Sequence, residues 1–333
     1  GFEAMDQDTR ASRAEAVLSA TTVALAERIT APAVSFGANS RSSHSDLRAL
    51  SFYLQDQVDF GERVKLVAGL RYDDLRIEAT NLLATPIPTT ARRTDRKWSP
   101  RLGLILKPAE NISVYGSYAI SFLPQSGDQF TTLDATQATL ASERFENLEA
   151  GVKWDLTSAL AFTLAAYQLE RSNSRFNDPT TGTALLSGKT RAQGIEATLV
   201  GQLARNLQVS FGYALQEGEV RSATTAAPAG RKLAQLPRHQ ASAWARYNVT
   251  SKLGLGLGVL HQSSQFTTIS NQVRLPAFTR LDAAVFYDLS DRVSLQVNVE
   301  NLTDTDYFPN AHTDNNISVG EPLNARATLK VKF

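Results

Sequence analysis

Residues 111–122 read Asn111-Ile112-Ser113-Val114-Tyr115-Gly116-Ser117-Tyr118-Ala119-Ile120-Ser121-Phe122. Apolar or aromatic side chains fill the even positions apart from Gly116, and small or polar residues fill most of the odd ones. A strand turns successive side chains to opposite faces, so this period of two predicts a β-strand with one apolar face. The alternation returns at 207–215, 253–259, 281–289, 293–300 and 325–333. The chain is therefore predicted to be all-β.

Two kinds of connection separate the alternating stretches. Tight polar turns are predicted at 61–63, 108–111, 157–158, 204–206, 250–252 and 290–292. Longer connections that hold most of the Pro, Thr and Asn are predicted at 80–94, 124–142, 178–186, 221–236, 270–276 and 309–320. Short turns at one end and long loops at the other indicate an antiparallel up-and-down meander of about 14 strands, the first a stub at 1–10.

The direction of the apolar face decides between two kinds of β protein. A soluble sandwich or soluble barrel would bury this face in its core. Here the opposite face carries charges in mid-strand, as at Lys65 and Lys153, and the strands stay longer than those of a sandwich. Aromatic residues such as Phe60, Trp154 and Tyr247 lie beside the tight turns, where an interfacial girdle is expected. The pattern favours a transmembrane β-barrel with its apolar face toward lipid.

Composition excludes several other classes of protein. With 34 Lys+Arg against 33 Asp+Glu, the net charge of +1 lacks the basic excess of a nucleic-acid-binding protein. The sequence has no stretch of about 18 apolar residues, the length that a membrane-spanning helix needs. The absence of Cys excludes disulfides and thiolate metal sites, and the four His residues do not follow a metal-ligand spacing. We expect no enzyme activity, metal site or cofactor, and His312 with Asp314 is predicted to be a solvated loop pair.

Several motifs, in a fixed order, resemble the wall of TonB-dependent siderophore receptors. They are Ser99-Pro100-Arg101-Leu102-Gly103, Tyr115-Gly116-Ser117-Tyr118, 145–154 (FENLEAGVKW), 191–196 (RAQGIE), Leu236-Pro237-Arg238-His239, 275–282 (LPAFTRLD) and 298–308 (NVENLTDTDYF). A closing strand that ends in Phe333 follows the last motif. The chain therefore resembles the C-terminal part of such a receptor of the catecholate type. The segments 142–143 and 321–326 depart from the usual family pattern, which weakens the assignment of a substrate.

The resemblance implies an outer-membrane barrel of about 22 strands, filled by an N-terminal plug, that imports a ferric siderophore with energy from the TonB complex. About eight strands and the plug are then expected upstream of Gly1. Residues 1–45 are predicted to be the end of a barrel strand followed by a long extracellular loop or hairpin. Residues 46–333 are predicted to be the C-terminal barrel strands. The expected partners are the siderophore, the TonB complex, outer-membrane lipid and the barrel assembly machinery, for which the terminal Phe333 resembles a signal.

The cargo that the resemblance implies suggests a set of site residues. A ferric catecholate complex is a large anion with aromatic faces, which guanidinium groups and rings attract. Candidate contacts near the outer mouth are Arg92, Arg93, Phe122, Phe130, Arg221, Arg231, Tyr307 and Phe308. Candidate lumen- or plug-facing charges are Arg71, Glu149, Glu196, Arg246, Asp282 and Glu300.

Two alternatives remain open at the level of sequence. Fourteen strands could close by themselves into a passive diffusion pore. A TonB-dependent receptor with the same architecture could instead carry cobalamin, haem or another metal complex.

Overall fold

The computed structural model describes residues 1–333 except 19–32, 126–130, 132, 178–183, 187 and 223–227. The first elements are β1 (Phe2–Leu18), β2 (Val34–Phe60), β3 (Val64–Asn81), β4 (Thr89–Ala109), β5 (Ile112–Leu123), α1 (Ala135–Thr139), β6 (Glu143–Thr157), β7 (Leu160–Ser172), β8 (Arg175–Asn177) and β9 (Ala184–Leu186). The others are β10 (Lys189–Ala204), β11 (Leu207–Val220), β12 (His239–Asn248), β13 (Leu253–Gln262), β14 (Gln265–Phe266), β15 (Arg274–Leu275), β16 (Phe278–Asp288), β17 (Val293–Glu300), β18 (Ala311–Thr313), β19 (Asn316–Ile317) and β20 (Asn324–Val331).

Fourteen strands form one antiparallel sheet, which we call the wall, in the order β1-β2-β3-β4-β5-β6-β7-β10-β11-β12-β13-β16-β17-β20. The other six strands form three small hairpins in the long loops. Each wall strand pairs with the wall strand before it, which confirms the predicted up-and-down meander and its strand number. Within the described ranges, β1 and β20 are the two edges of the wall and do not pair with each other.

Connections alternate between the two ends of the wall as predicted. The short-turn end has connections of two to four residues at 61–63, 110–111, 158–159, 205–206, 249–252 and 289–292. Gly61 there has φ of 66°, a left-handed conformation that glycine adopts without steric cost. The long-loop end holds the connections at 82–88, 124–142, 173–188, 221–238, 263–277 and 301–323.

Hydrophobic side chains cover the outer face of the wall. Leu257 is 59% exposed and Leu329 is 61% exposed, whereas the intervening glycines of β13 are buried. Because the register places Leu257 beside Ala245 and Ala283, the apolar positions of neighbouring strands share this face. An apolar face this continuous is stable against hydrocarbon but not against water. The exposure of this apolar face confirms a transmembrane β-barrel wall and excludes the soluble alternative, in which these side chains would pack inside.

An aromatic row marks the outer face toward the long-loop end. The register aligns Phe2 with Phe52, Phe52 with Tyr72, and Tyr72 with Trp98 across four strands. The ring centroids of Phe2 and Phe52 are 5.3 Å apart, and those of Tyr72 and Trp98 are 4.8 Å apart. Such rows lie where hydrocarbon gives way to headgroups.

The first strands of the wall extend far beyond this aromatic row. Residues 1–45 are predicted to hold a strand end and a loop or hairpin; in the structure, β2 begins at Val34 and pairs with β1 from Leu18–Val34 to Phe2–Phe52. Its 27 residues span about 90 Å, against about 30 Å of hydrocarbon. No helix among the described residues has the length and apolar character to cross a membrane.

A small core lies on the inner face of this extension. Leu47, Ile77 and Ala79 are at most 3% exposed, and Leu133 from the 124–142 loop packs on them. Ala138 of α1 also packs there, so the loop folds back over the inner face of β2–β4. This contact fixes one side of the mouth at the long-loop end.

Candidate functional site

The predicted lumen charges all lie on the inner face, opposite the hydrocarbon-facing side chains. Strand parity and register place there Arg71, Glu149, Glu196, Arg246, Asp282 and Glu300. Arg71 is held by three neighbours, since its Nε donates to Asp73 Oδ1 at 2.8 Å and its Nη2 donates to Glu3 Oε2 at 3.0 Å and to Ser51 Oγ at 2.9 Å. These contacts join β1, β2 and β3 on the inner face.

Tyr115, Glu149 and Lys153 form a second inner group, on β5 and β6. The Tyr115 hydroxyl donates a hydrogen bond of 2.6 Å to Glu149 Oε1. Lys153 Nζ lies 5.5 Å from the centroid of the Tyr115 ring, within cation–π range. Glu196 lies farther along the inner face, in register with Ala165 of β7 and Ala214 of β11.

Arg246 and Asp282 lie on the later strands. The guanidinium of Arg246 stacks 4.2 Å from the centroid of Phe286. Asp282 accepts from Arg280 Nη2 at 2.8 Å and from the backbone N–H of Asn301 at 2.9 Å. Glu300 is in register with Asn324 of β20. The inner face therefore combines paired charges with aromatic rings that contact cations.

Arg93, a candidate ligand contact, is buried beneath the 124–142 loop. Its side chain is 5% exposed and forms an ion pair with Asp95. Its Nη1 donates to the carbonyls of Gln137 at 2.8 Å and Leu140 at 2.6 Å, and its Nη2 donates to Ser142 Oγ at 3.1 Å. This guanidinium holds the loop on the wall.

Arg92 lies on the outward-facing side of β4, and Arg221 directly follows β11 and bonds to its outward-facing side. Arg92 donates to both carboxylate oxygens of Glu78, at 2.9 and 2.8 Å, and this hydrogen bonding lowers the pKa of Glu78. Arg221 Nη1 donates to Glu219 Oε1 at 2.6 Å. The structure thus places both residues outside the lumen, above the hydrocarbon band.

The described aromatic candidates lie toward the long-loop end of the wall. Tyr307 is 5% exposed, its ring lies 4.6 Å from that of Phe278, and its hydroxyl accepts from Arg280 Nη1 at 3.1 Å. Phe308 is half-buried beside it. Phe122 is half-buried with Lys97 Nζ 5.4 Å from its ring centroid. Phe130 lies outside the described residues.

The last three long loops are joined to one another. We call the segments 228–238, 263–277 and 307–317 the loop block. Gln235 Nε2 donates to the Ala311 carbonyl at 2.6 Å, and Asn271 exchanges two hydrogen bonds with the backbone of Lys232, at 2.8 and 2.9 Å. The candidate Arg231 belongs to this block, where its Nη1 donates to the Ile269 carbonyl at 3.4 Å.

Asp314 is a central acceptor of the loop block. Its carboxylate accepts from the hydroxyls of Thr267, of Thr268 at 2.8 Å and of Ser270 at 2.9 Å. The hydrogen bond from Thr267 is the main cause that lowers the pKa of Asp314. Loop hydroxyls thus bind this carboxylate, and the neighbouring His312 is exposed. Sequence reasoning missed the block, since isolated Gln, Asn and Thr residues in loops carry no periodic signal.

One group on the outward face has the composition of a metal site. Ligand atoms of Asp8, His44 and Asp46 lie within 4.8 Å of one another. His44 Nε2 already makes a 2.7 Å contact with Asp8 Oδ2, and Asp46 is 3.9 Å away. This exposed group has the contacts of a surface ion-pair cluster.

A comparison with protein families identifies the architecture. The family described as TonB dependent receptor-like, beta-barrel matches residues 18–302. The chain belongs to this family. The family resemblance predicted from the motifs is confirmed, and members of the family are outer-membrane proteins of Gram-negative bacteria, which places this receptor chain in that membrane.

Relatives of the receptor family include siderophore receptors. The chain is 30% identical over 324 residues to "Probable TonB-dependent receptor BfrD" of Bordetella pertussis, covering 91% of this chain and 44% of that protein. It is 28% identical to "Probable TonB-dependent siderophore receptor PiuA" of Acinetobacter baumannii, covering 86% and 41%. The crystal structure of PiuA matches with a TM-score of 0.78 at 26% identity, covering 91% of this chain and 44% of that one. The chain thus spans less than half the length of these relatives.

Proposed function

We propose that this chain forms part of the wall and mouth of a TonB-dependent outer-membrane receptor that takes up a ferric siderophore of the catecholate type. One observation carries the proposal: the residues that match the family, 18–302, include most strands of the wall. One side of this wall faces hydrocarbon, and the other side carries paired charges and aromatic rings. The name of PiuA supports siderophore as the class of cargo.

The geometry explains what the wall contributes to uptake. Antiparallel pairing satisfies the backbone N–H and C=O groups of the spanning strands, which lipid could not do. The inner face presents polar side chains to a plug and to solute, and the loops at the other end provide the contact surface for an iron complex. Energy for release would come from the TonB complex through the plug. The residues present act by binding and positioning, without an enzymatic step, a metal ion or a cofactor of their own.

At the mouth, the proposed ligand contacts are the half-buried aromatics and the arginines that line the rim. Arg231 and Phe308 lie in or beside the loop block, and Phe122 lies across the mouth beside Lys97. The proposed set also includes Arg92, Arg93, Phe130, Arg221 and Tyr307, with Arg92 and Arg221 on the outer side of the rim. Because Arg93 and Tyr307 are buried, we propose that they hold the contact surface in place from beneath.

Phe333 is proposed to be the assembly signal, recognised by the barrel assembly machinery. It follows the outward-facing Leu329 and Val331 of β20 and is fully exposed at an edge of the wall. We expect Phe333→Ala to lower the amount of folded receptor in the membrane more than Lys332→Ala does, as measured by the heat-modifiable fraction on gels. Equal amounts of folded protein for the two variants would contradict this role.

Uptake of labelled iron tests the receptor function. A strain that lacks the gene is complemented with the complete gene and supplied with ⁵⁵Fe bound to a tris-catecholate or to a hydroxamate, with and without a protonophore. The proposal expects energy-dependent uptake of the catecholate complex only in the complemented strain. Uptake that persists with the protonophore would identify the passive pore instead. Energy-dependent uptake restricted to cobalamin, haem or another metal complex would identify that complex as the cargo instead of a ferric siderophore.

A further inference from the structure

A groove follows the inner face of β3–β6. It has a volume of about 510 Å³, within the range of roughly 300–1,000 Å³ typical of small-molecule sites. Its floor is the inner side of β5, where Ser113, Ser117 and Ala119 carry short side chains and the ring of Tyr115 lies over Gly151 of β6. We call this groove the β5 furrow. Short side chains between longer neighbours create a channel that follows the strand direction.

Two cations flank the β5 furrow at different heights. Arg101 lies opposite Ala119, and Lys153 lies opposite Ser113. The six residues between these levels correspond to about 20 Å along β5. Both side chains are exposed on the inner face, so the furrow has a cation toward each end.

The cations that line the β5 furrow outnumber its carboxylates. Arg101 has no ion pair with a carboxylate in the described parts of the chain, and the partner found there for Lys153 is the Tyr115 ring. Glu149 is the one acidic residue in the lining, and its carboxylate accepts the Tyr115 hydroxyl. Two cations against one carboxylate leave the lining with a net positive charge, and Glu196 acts on the Tyr115 hydroxyl from outside the lining. Elsewhere on the inner face, Lys65 and Arg71 are paired with carboxylates.

The part of the wall around β13 is lined differently. On β13 the inner positions are Gly254, Gly256 and Gly258, and the Trp244 ring covers two of them. A Cβ at Gly256 would lie 2.5 Å from Trp244 Cζ2, which shows how closely the ring rests on the backbone. A second groove, of about 540 Å³, lies beside Trp244, but the Arg246 guanidinium that lines it is already stacked on an aromatic ring.

We infer that the β5 furrow is the route by which the anionic iron complex passes along the wall, guided by Arg101 and Lys153. The inference rests on the proposed function for the nature of the cargo. Positive side chains in a low-dielectric groove raise the local concentration of anions. Cations spaced along the furrow, with the Tyr115 ring between them, provide successive weak contacts for a charged complex with aromatic faces.

The absence of Cys permits a test that does not depend on the cargo. Ser117→Cys is placed on the furrow floor and Ser242→Cys on β12, outside the lining of either groove, each in the full receptor in outer membranes. Each thiol is reacted with an anionic and with a cationic methanethiosulfonate. At the furrow thiol, the rate of reaction with the anionic reagent divided by the rate with the cationic reagent is expected to be about 10-fold higher than the same ratio at the Ser242 position. Adding Arg101→Gln and Lys153→Gln, or raising the salt concentration, should remove most of this preference.

Uptake provides the second readout. Attachment of a bulky reagent to Ser117→Cys should reduce energised ⁵⁵Fe-catecholate uptake at least severalfold while binding to de-energised cells is unchanged. The same reagent on Ser242→Cys should leave uptake unchanged. An equal charge preference at the two thiols, or full uptake with the furrow blocked, would overturn the inference. Failure of the unmodified receptor to take up the catecholate, with the charge preference intact, would overturn the cargo assignment and leave the anionic route in place.

Discussion

Arg93 and Asp95, two positions apart on β4, form a buried ion pair whose guanidinium also binds the carbonyls of the 124–142 loop. Ser142 from the end of that loop donates to Asp95 Oδ1 at 2.5 Å, so the loop contributes to both members of the pair. Breaking a buried pair at one member leaves the other charge without its partner, at a cost of about 3–5 kcal/mol.

The Arg93–Asp95 pair is therefore predicted to hold the mouth in shape. Arg93→Gln should detach the 133–142 segment, while the wall strands stay folded, because the wall has its own backbone hydrogen bonds. Hydrogen exchange should show faster exchange in that segment and unchanged protection in β6 and β7. Arg92→Gln is the matched control, since its neighbouring guanidinium bonds Glu78 on the other face. Equal loss of loop protection in both variants would contradict the role of Arg93.

The two faces of β17 predict opposite effects of one substitution. Val297 lies on the hydrocarbon side, in register with Val285 and Ala327, whereas Gln296 faces inward beside Phe286 and Thr328. Arginine near the midplane of the bilayer costs about 2–4 kcal/mol on the lipid side. Val297→Arg should reduce the heat-modifiable folded fraction on gels, and Gln296→Arg should leave it near the level of the unsubstituted protein. If both variants assembled equally well, the assigned orientation of the wall would be incorrect.

The sequence determined the strand order and the orientation of the faces because both follow from periodicity and turn length. It did not determine the start of β2, since residues 34–44 mix small and polar types without an apolar face. These residues form a strand by pairing with β1 rather than by burying an apolar side. The burial of Arg93 also escaped prediction, because the segment that covers it is 30 to 50 residues away along the chain.

Trp244 and the glycines of β13 predict a packing effect that alternation alone does not reveal. A methyl group at Gly256 would overlap the ring, and overpacking of this kind costs about 1–3 kcal/mol. Gly256→Ala should therefore lower the thermal stability of the folded receptor, and Trp244→Ala should abolish most of the additional effect of Gly256→Ala in the double variant. Gly116→Ala is the control, because its Cβ would meet a backbone oxygen at an ordinary 3.9 Å. Additive effects of the two substitutions would refute direct contact between ring and backbone.

Asp314 predicts an acid-sensitive loop block. Hydrogen bonds from Thr267, Thr268 and Ser270 lower its pKa below the ordinary value of 3.8. A carboxyl group with a lowered pKa contributes stability that is complete above its unfolded pKa and is lost as the pH falls through the folded value. The loop at 263–277 should therefore stay protected at neutral pH and open only in acid below that ordinary value, as read by hydroxyl-radical footprinting. Asp314→Asn, which keeps the shape but loses the charge, should weaken protection at neutral pH and remove this acid transition. An acid transition of equal size in Asp314→Asn would assign the pH response to a different group.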